Sequence, residues 1–145
     1  LKKFGLRLSH VKPHGALYNL AATDRSYASA VIEAARRVDR GLPLVGLAGS
    51  HFVKWCQLAG QPVINEGFAD RRYEADGTLR SRQFADALIA DPVEAGDQAL
   101  HLVLSQTAET ICIHGDSPGA LPLAQAVRAT LLHAGIVITC YERLD

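Results

Sequence analysis

The stretch Pro43-Leu44-Val45-Gly46-Leu47-Ala48-Gly49-Ser50-His51-Phe52-Val53-Lys54-Trp55-Cys56-Gln57-Leu58-Ala59-Gly60-Gln61-Pro62-Val63-Ile64-Asn65 holds a complete strand–helix–strand unit. Pro43 to Leu47 is a short apolar run that reads as a buried strand. Ala48-Gly49-Ser50 supplies a turn and an N-cap, since a Ser side chain can accept a bond from the free N–H groups opening a helix. His51 to Leu58 follows as a short helix, closed by Gly60. Gln61 to Asn65 is the next strand. Strands alternating with helices imply parallel strands with helical crossovers, and the class α/β.

Working outward, the same alternation continues on both sides. Upstream, Leu6 to Val11 reads as a strand ending in a loop, Lys12 to Asn19. From Thr23 to Val38 a helix follows, capped by Thr23 or Asp24, with Ala28, Val31, Ile32, Ala35 and Val38 inward and Gly41 after its end. Downstream, Asp91-Pro92 opens a helix running to about Gln106, with Val93, Leu100, Val103 and Leu104 on one face. Glu109 to Ile113 is a strand. A last helix, capped by Asp116 or Ser117 with Pro118 at its first position, carries Leu121, Ala124, Val127, Leu131 and Ala134, and delivers a strand from Ile136 to Cys140. Five strands result. They suit an open sheet or an arc of a barrel, and are too few for an ordinary closed (β/α) barrel.

The 145 residues, 48% hydrophobic and 21% charged, are enough for a single domain with a real core. Formal net charge is zero and no Lys/Arg run exceeds two residues, so nothing draws the chain to nucleic acid or an anionic membrane. No apolar run nears the roughly 18–20 residues that span a bilayer, and Leu1 to Leu8 does not read as a signal, so a cytoplasmic protein is expected. Cys56, Cys112 and Cys140 are widely spaced and read as buried thiols instead of a disulfide pair or zinc site. The absence of Met and the start at Leu1 read as a chain whose beginning is missing.

In parallel α/β folds, strand ends and helix N-termini converge on one side, and the loops there carry the chemistry. Three loops are loaded. In Lys12-Pro13-His14-Gly15-Ala16-Leu17-Tyr18-Asn19, Lys12 and His14 are suited to holding an anion and moving a proton, with Asn19 as a substrate contact. A His in a tight turn beside a solvated Lys is the plainer reading, and packing is the plainer role for Tyr18. In Glu66-Gly67-Phe68-Ala69-Asp70-Arg71-Arg72-Tyr73, Glu66 and Asp70 are candidate acid/base groups. Arg71 or Arg72, with Tyr73, could clamp an acidic substrate. Glu74, Asp76 and Arg80, around a turn at Asp76-Gly77, read as a solvated, self-paired charge cluster. In His114-Gly115-Asp116-Ser117-Pro118-Gly119, His114 is a candidate base and Asp116 a candidate partner, next to a helix start that would favour an anion; an N-cap with structural glycines is the plainer alternative. His10, His51, His101 and His133 show no ligand spacing and read as structural. No phosphate-loop lysine, dinucleotide glycine fingerprint, nucleophile elbow or zinc-protease helix occurs, and no metal set is assigned.

The phrases Val11 to Asn19, Glu66 to Tyr73 and Ile113 to Ala120, in that order, resemble signatures of the LamB/YcsF family. The resemblance implies a role as the A subunit of a prokaryotic 5-oxoprolinase, which opens the lactam of 5-oxo-L-proline to L-glutamate with ATP hydrolysis, together with subunits B and C. Mg2+ would accompany ATP. It also implies an irregular (β/α) barrel resembling the polysaccharide deacetylase and glycoside hydrolase type. Residues 1–145 would be one domain-sized, C-terminal part of it. Family members are longer at the N-terminus, with Asn-x-Asp-x-Gly-Glu-like, Gly-Phe-His-x-Gly-Asp and Ala-His-Pro-like phrases absent here. On this reading the chain by itself has an open sheet edge and part of a pocket, and is inactive alone. Two other functions fit the residues: a metal-dependent amide hydrolase, and a non-catalytic subunit that binds the other subunits.

Overall fold

The computed structural model describes residues 4, 8–116 and 119–141. It divides into two compact units, residues 1–65 with 140–145, and residues 66–139. Each has its own apolar core.

In the first unit, helix α1 spans Gly15–Thr23 and helix α2 Arg25–Val38, joined at Asp24. Asp24 caps α2 by accepting from the Ser26 N–H at 2.7 Å, which satisfies one of the donors that a helix start leaves without a partner. Strand β1, Leu44–Leu47, is buried along its length and leads through Ser50, whose hydroxyl accepts from the Val53 N–H, into helix α3, His51–Leu58. The core gathers Ala21, Ala28, Ile32, Ala35, Leu44, Phe52 and Cys56. Small residues predominate on α1 and α2, which lets these helices approach closely. Gly46 belongs to the same packing, because a Cβ there would lie 2.4 Å from the Phe52 ring.

Strand β2, Val63–Phe68, begins in the first unit and ends in the second. Within the second unit its residues Glu66, Gly67 and Phe68 pair in parallel with Thr110, Ile111 and Cys112 of strand β3, Thr110–Cys112. Helix α4, Pro92–Leu104, is capped by the Asp91 carboxylate on the Val93 N–H, and helix α5 spans Ala120–His133. The two helices pack closely at Gly96, where an added Cβ would sit 2.6 Å from Thr130 Oγ1. Ala69, Ile89, Ala95, Ala99, Leu123, Val127 and Leu131 form this core. Among the described residues no helix is long and apolar enough to cross a membrane.

Parallel strands alternating with helices bear out the α/β class, with corrections to particular elements. Three strands are present among the described residues instead of five. Of the expected strand from Leu6 to Val11, Leu6 and Arg7 lie outside the described residues, and Val11 makes only a single parallel bridge to Leu44. Ile136 to Cys140 forms no strand; Val137 and Ile138 are exposed, and an extended segment without a ladder partner is not a strand. The loop read from Lys12 to Asn19 is a loop only as far as His14, and Tyr18 and Asn19 lie on α1. The second loop starts after Phe68, because Glu66 to Phe68 belong to β2. Helix α5 starts at Ala120 with Gly119 at its cap, and it buries Leu123, Val127 and Leu131, while Leu121 is exposed. The readings of Ser117 as a cap and Pro118 at the first helical position lie outside the described residues. Of the three free thiols, Cys56 is buried, Cys112 is half-buried and Cys140 is exposed.

Candidate functional site

In the second unit, the end of β2 and the end of β3 bring Asp70 and His114 together. The Asp70 carboxylate is almost fully buried and accepts twice from one residue: the His114 backbone N–H at 2.8 Å, and His114 Nδ1 at 2.9 Å from the same oxygen. A carboxylate acceptor at Nδ1 requires the ring proton there, which leaves Nε2 with its lone pair. The ring also stacks on Phe68, centroids 5.5 Å apart and planes within 18°. One edge of the imidazole is therefore fixed by Asp70 and one face by Phe68, so Nε2 is held in a defined direction. This is the arrangement of an oriented base, with a carboxylate ready to stabilise the cation formed when Nε2 takes a proton.

The end of β2 and the loop after it carry other polar residues. Glu66, buried on β2, lies two positions before Phe68, so strand alternation places both on one face of the sheet. The Tyr73 hydroxyl accepts from the Phe68 N–H at 2.7 Å. Burial pushes the Tyr73 phenol up to about 12; the Phe68 N–H works against this, and the charges of Glu66 and Asp70 add to it. At neutral pH Tyr73 is therefore a neutral hydroxyl. Arg71 is 6% exposed and donates from Nη2 to the Arg80 carbonyl at 2.6 Å, while its Nε is buried with no hydrogen-bond partner among the described residues. Burial and the nearby Arg82 push the Arg71 guanidinium down from its ordinary value, with Asp70 and Tyr73 acting in opposition. A buried cation with a spare donor is suited to an anionic group.

Arg72 is engaged elsewhere. Its guanidinium forms a two-pronged pair with Glu94 on α4, at 2.5 and 3.1 Å. Arg80 bridges Glu74 and Asp86, and Asp76 accepts from Thr78, so the charge cluster behind the site is self-paired as expected. Asp116 is exposed, two residues beyond His114. Among the described residues, no group of three or more His, Cys, Asp or Glu side chains is gathered to hold a metal ion.

Lys12, His14 and Asn19 belong to the first unit. Lys12 is half-buried, with Nζ 5.8 Å from the Tyr18 ring centroid, and His14 and Asn19 are exposed. Lys12 and His14 line the rim of a mostly apolar cavity of about 480 Å³ bounded by Leu8, Val11, Val31 and Leu42.

Sequence reasoning missed Phe68, Glu94 and Gln98. Gln98 carried a signal: on α4 it shares a face with the buried Ala95, Ala99 and Leu102, and a polar residue inside an apolar stripe needs a partner. It donates from Nε2 to the carbonyls of Phe68 at 2.6 Å and Arg71 at 2.8 Å.

Comparison with known proteins places the chain in a family. The LamB/YcsF family pattern matches residues 1–145. The chain is 47% identical over 150 residues to the 5-oxoprolinase A subunit of Chloroflexus aurantiacus, covering 95% of this chain and 59% of that protein. It is 45% identical over 151 residues to the 5-oxoprolinase A subunit of Bacillus subtilis, covering 96% and 59%. Among solved structures it is similar to a lactam utilization protein from Thermus thermophilus, with a TM-score of 0.84 and 41% identity over 93% of this chain and 58% of that one. The chain thus spans about 59% of the length of the curated relatives it matches.

Proposed function

The chain belongs to the LamB/YcsF family, and from that premise we propose that it serves as the A subunit of an ATP-dependent 5-oxoprolinase, opening 5-oxo-L-proline to L-glutamate with subunits B and C in the cytoplasm. The observation that carries this reading is the buried Asp70 holding His114 by both its backbone N–H and Nδ1. The relatives' name, 5-oxoprolinase A subunit, supports the substrate and the partners. The parallel register of β2 and β3 supports an irregular (β/α) barrel, of which residues 1–145 form a domain-sized part.

A lactam is a resonance-stabilised amide, and its carbonyl carbon is a poor electrophile at neutral pH. Transfer of the terminal phosphoryl group of ATP, which Mg2+ would accompany, to the amide oxygen would make it a good one and release ADP. One water then adds to that carbon and the ring C–N bond breaks, leaving a glutamyl phosphate, and a second water cleaves this acyl phosphate to phosphate and glutamate. His114 Nε2 takes the proton from the attacking water, and Asp70 stabilises the imidazolium that results. Arg71, with its buried Nε, holds an anionic group of the substrate or its phosphorylated form, and Glu66 and Tyr73 complete the polar wall. Lys12, His14, Asn19 and Asp116 are further candidates for anion binding and proton transfer, and Arg72 for a supporting role through Glu94.

The test is ATP-dependent glutamate formation by the enzyme reconstituted with subunits B and C. His114→Ala is expected to lower kcat by about 10²–10⁴-fold, the usual worth of a positioned base. Arg71→Lys is expected to raise KM for 5-oxoproline. Unchanged turnover in His114→Ala would remove the basis for the reading.

A further inference from the structure

Gln98 has no place in the chemistry above, yet its side chain is tied to the segment that carries it. Its Nε2 lies 2.6 Å from the Phe68 carbonyl, 2.8 Å from the Arg71 carbonyl and 3.3 Å from the Ala69 carbonyl. An amide nitrogen has two protons, so the two short bonds use both of them. These carbonyls flank Asp70 on either side along the chain. Phe68 bears the ring on which His114 stacks, and Asp70 bears the carboxylate that binds its Nδ1. The two contacts that orient the imidazole thus come from a four-residue segment whose ends are both held by one side chain on α4. That side chain has a firm base, because Ala95, Ala99 and Leu102 on the same helix face are buried.

Resting on the base role read for His114, we propose that Gln98 is a positioning residue: by clamping the Phe68 and Arg71 carbonyls it keeps Asp70 on His114 Nδ1, and so keeps the His114 ring in the tautomer with Nε2 available. Backbone bonds hold other groups of the same segment: past the β2–β3 register the Ala69 N–H donates to the Cys112 carbonyl at 3.1 Å, the Ile89 N–H donates to the Asp70 carbonyl at 3.0 Å, and Arg71 bridges Leu88. Gln98 adds the bonds at the Phe68 and Arg71 carbonyls, which set the tilt of the peptides on either side of Asp70 and with it the direction of the carboxylate.

The test is a tautomer measurement on the 145-residue chain itself, reading the His114 ring nitrogens by long-range proton–nitrogen correlation, with assignment from His114→Gln. Gln98→Glu keeps the length of the side chain and removes both donors. Gln98→Met keeps length and helix propensity without any polar group, and stays folded even where a carboxylate facing carbonyls is not tolerated. In the native chain the His114 nitrogens are expected to show a proton on Nδ1. In both variants they are expected to move toward a mixture of the two tautomers. Exchange of the His114 amide, which donates to Asp70, is expected to quicken by about tenfold or more relative to amides in α5. Native nitrogen shifts and native His114 amide exchange in a folded Gln98→Met chain would overturn the proposal, since a merely structural glutamine would lower stability and leave the tautomer alone. The two readings fail separately. Loss of the tautomer with full activity in His114→Ala would refute the base role and keep the clamp, whereas an unmoved tautomer with an inactive His114→Ala would do the reverse.

Discussion

Single residues in the second unit differ sharply in what they do despite similar chemistry. Arg71 and Arg72 are neighbours, but Arg71 is buried with an unused donor and Arg72 is half-exposed and engaged by Glu94. Exposed and half-exposed ion pairs contribute little, so Arg72→Ala should cost only about 0.2–1 kcal/mol by chemical denaturation. The half-buried Tyr73 hydroxyl is another matter, because it is the partner of the Phe68 N–H. Tyr73→Phe leaves that donor without its acceptor and is expected to cost about 1–3 kcal/mol by the same measurement. Cysteines separate by burial as well. Cys56 is fully buried and its thiol is pushed up to about 12, so iodoacetamide at pH 8 should leave it intact in the folded chain while modifying the exposed Cys140; mass spectrometry of the products decides this.

At the scale of elements, packing decides what sequence alone leaves open. Gly96→Ala drives a Cβ against Thr130 Oγ1 and should destabilise the chain by about 1–3 kcal/mol, with Thr130→Ala in the same chain recovering much of the loss. Additive losses in a double-mutant cycle would show that the two helices do not meet there. Helix α3 and its Ser50 cap are legible because cap, helix formers and Gly60 are all local signals. The continuation of β2 through Glu66 to Phe68 is not, since a carboxylate and a glycine interrupt the apolar run; those residues are strand only because β3 pairs with them. Helix α1 is masked although Tyr18, Ala21 and Ala22 recur at helical spacing, because Pro13 and Gly15 mark the segment as a loop. Of the site, residue types at strand ends can be read directly, which nominates Asp70 and His114 but leaves their pairing open. Phe68 stays hidden because a stacking phenylalanine looks like core, and the signal that Gln98 carries, a polar side chain in an apolar stripe, does not say which carbonyls it meets until the turn it holds is seen.

For the molecule as a whole, the buried Cys56 and the half-buried Tyr73 set an alkaline limit. Cys56 and Tyr73 are both raised to about 12 in the folded chain. The unfolded chain loses these protons first, from about pH 8.5 for a free thiol and about pH 10 for a free phenol, while the folded chain retains them. Their contribution to stability is therefore complete below those values and is lost as pH rises toward 12. Denaturation midpoints should fall across that window, and the fall should be shallower in Cys56→Ala and Tyr73→Phe; a slope identical to that of the unaltered chain would contradict the assignment. The proposed function requires the Asp70–His114 pair to move the proton in a lactam-opening reaction. The most direct measurement is kcat for ATP-dependent conversion of 5-oxoproline to glutamate by the enzyme reconstituted with subunits B and C and bearing Asp70→Asn. A fall of about 10²–10⁴-fold with KM little changed is expected, and a kcat equal to that of the unaltered enzyme would overturn the proposed role of the pair.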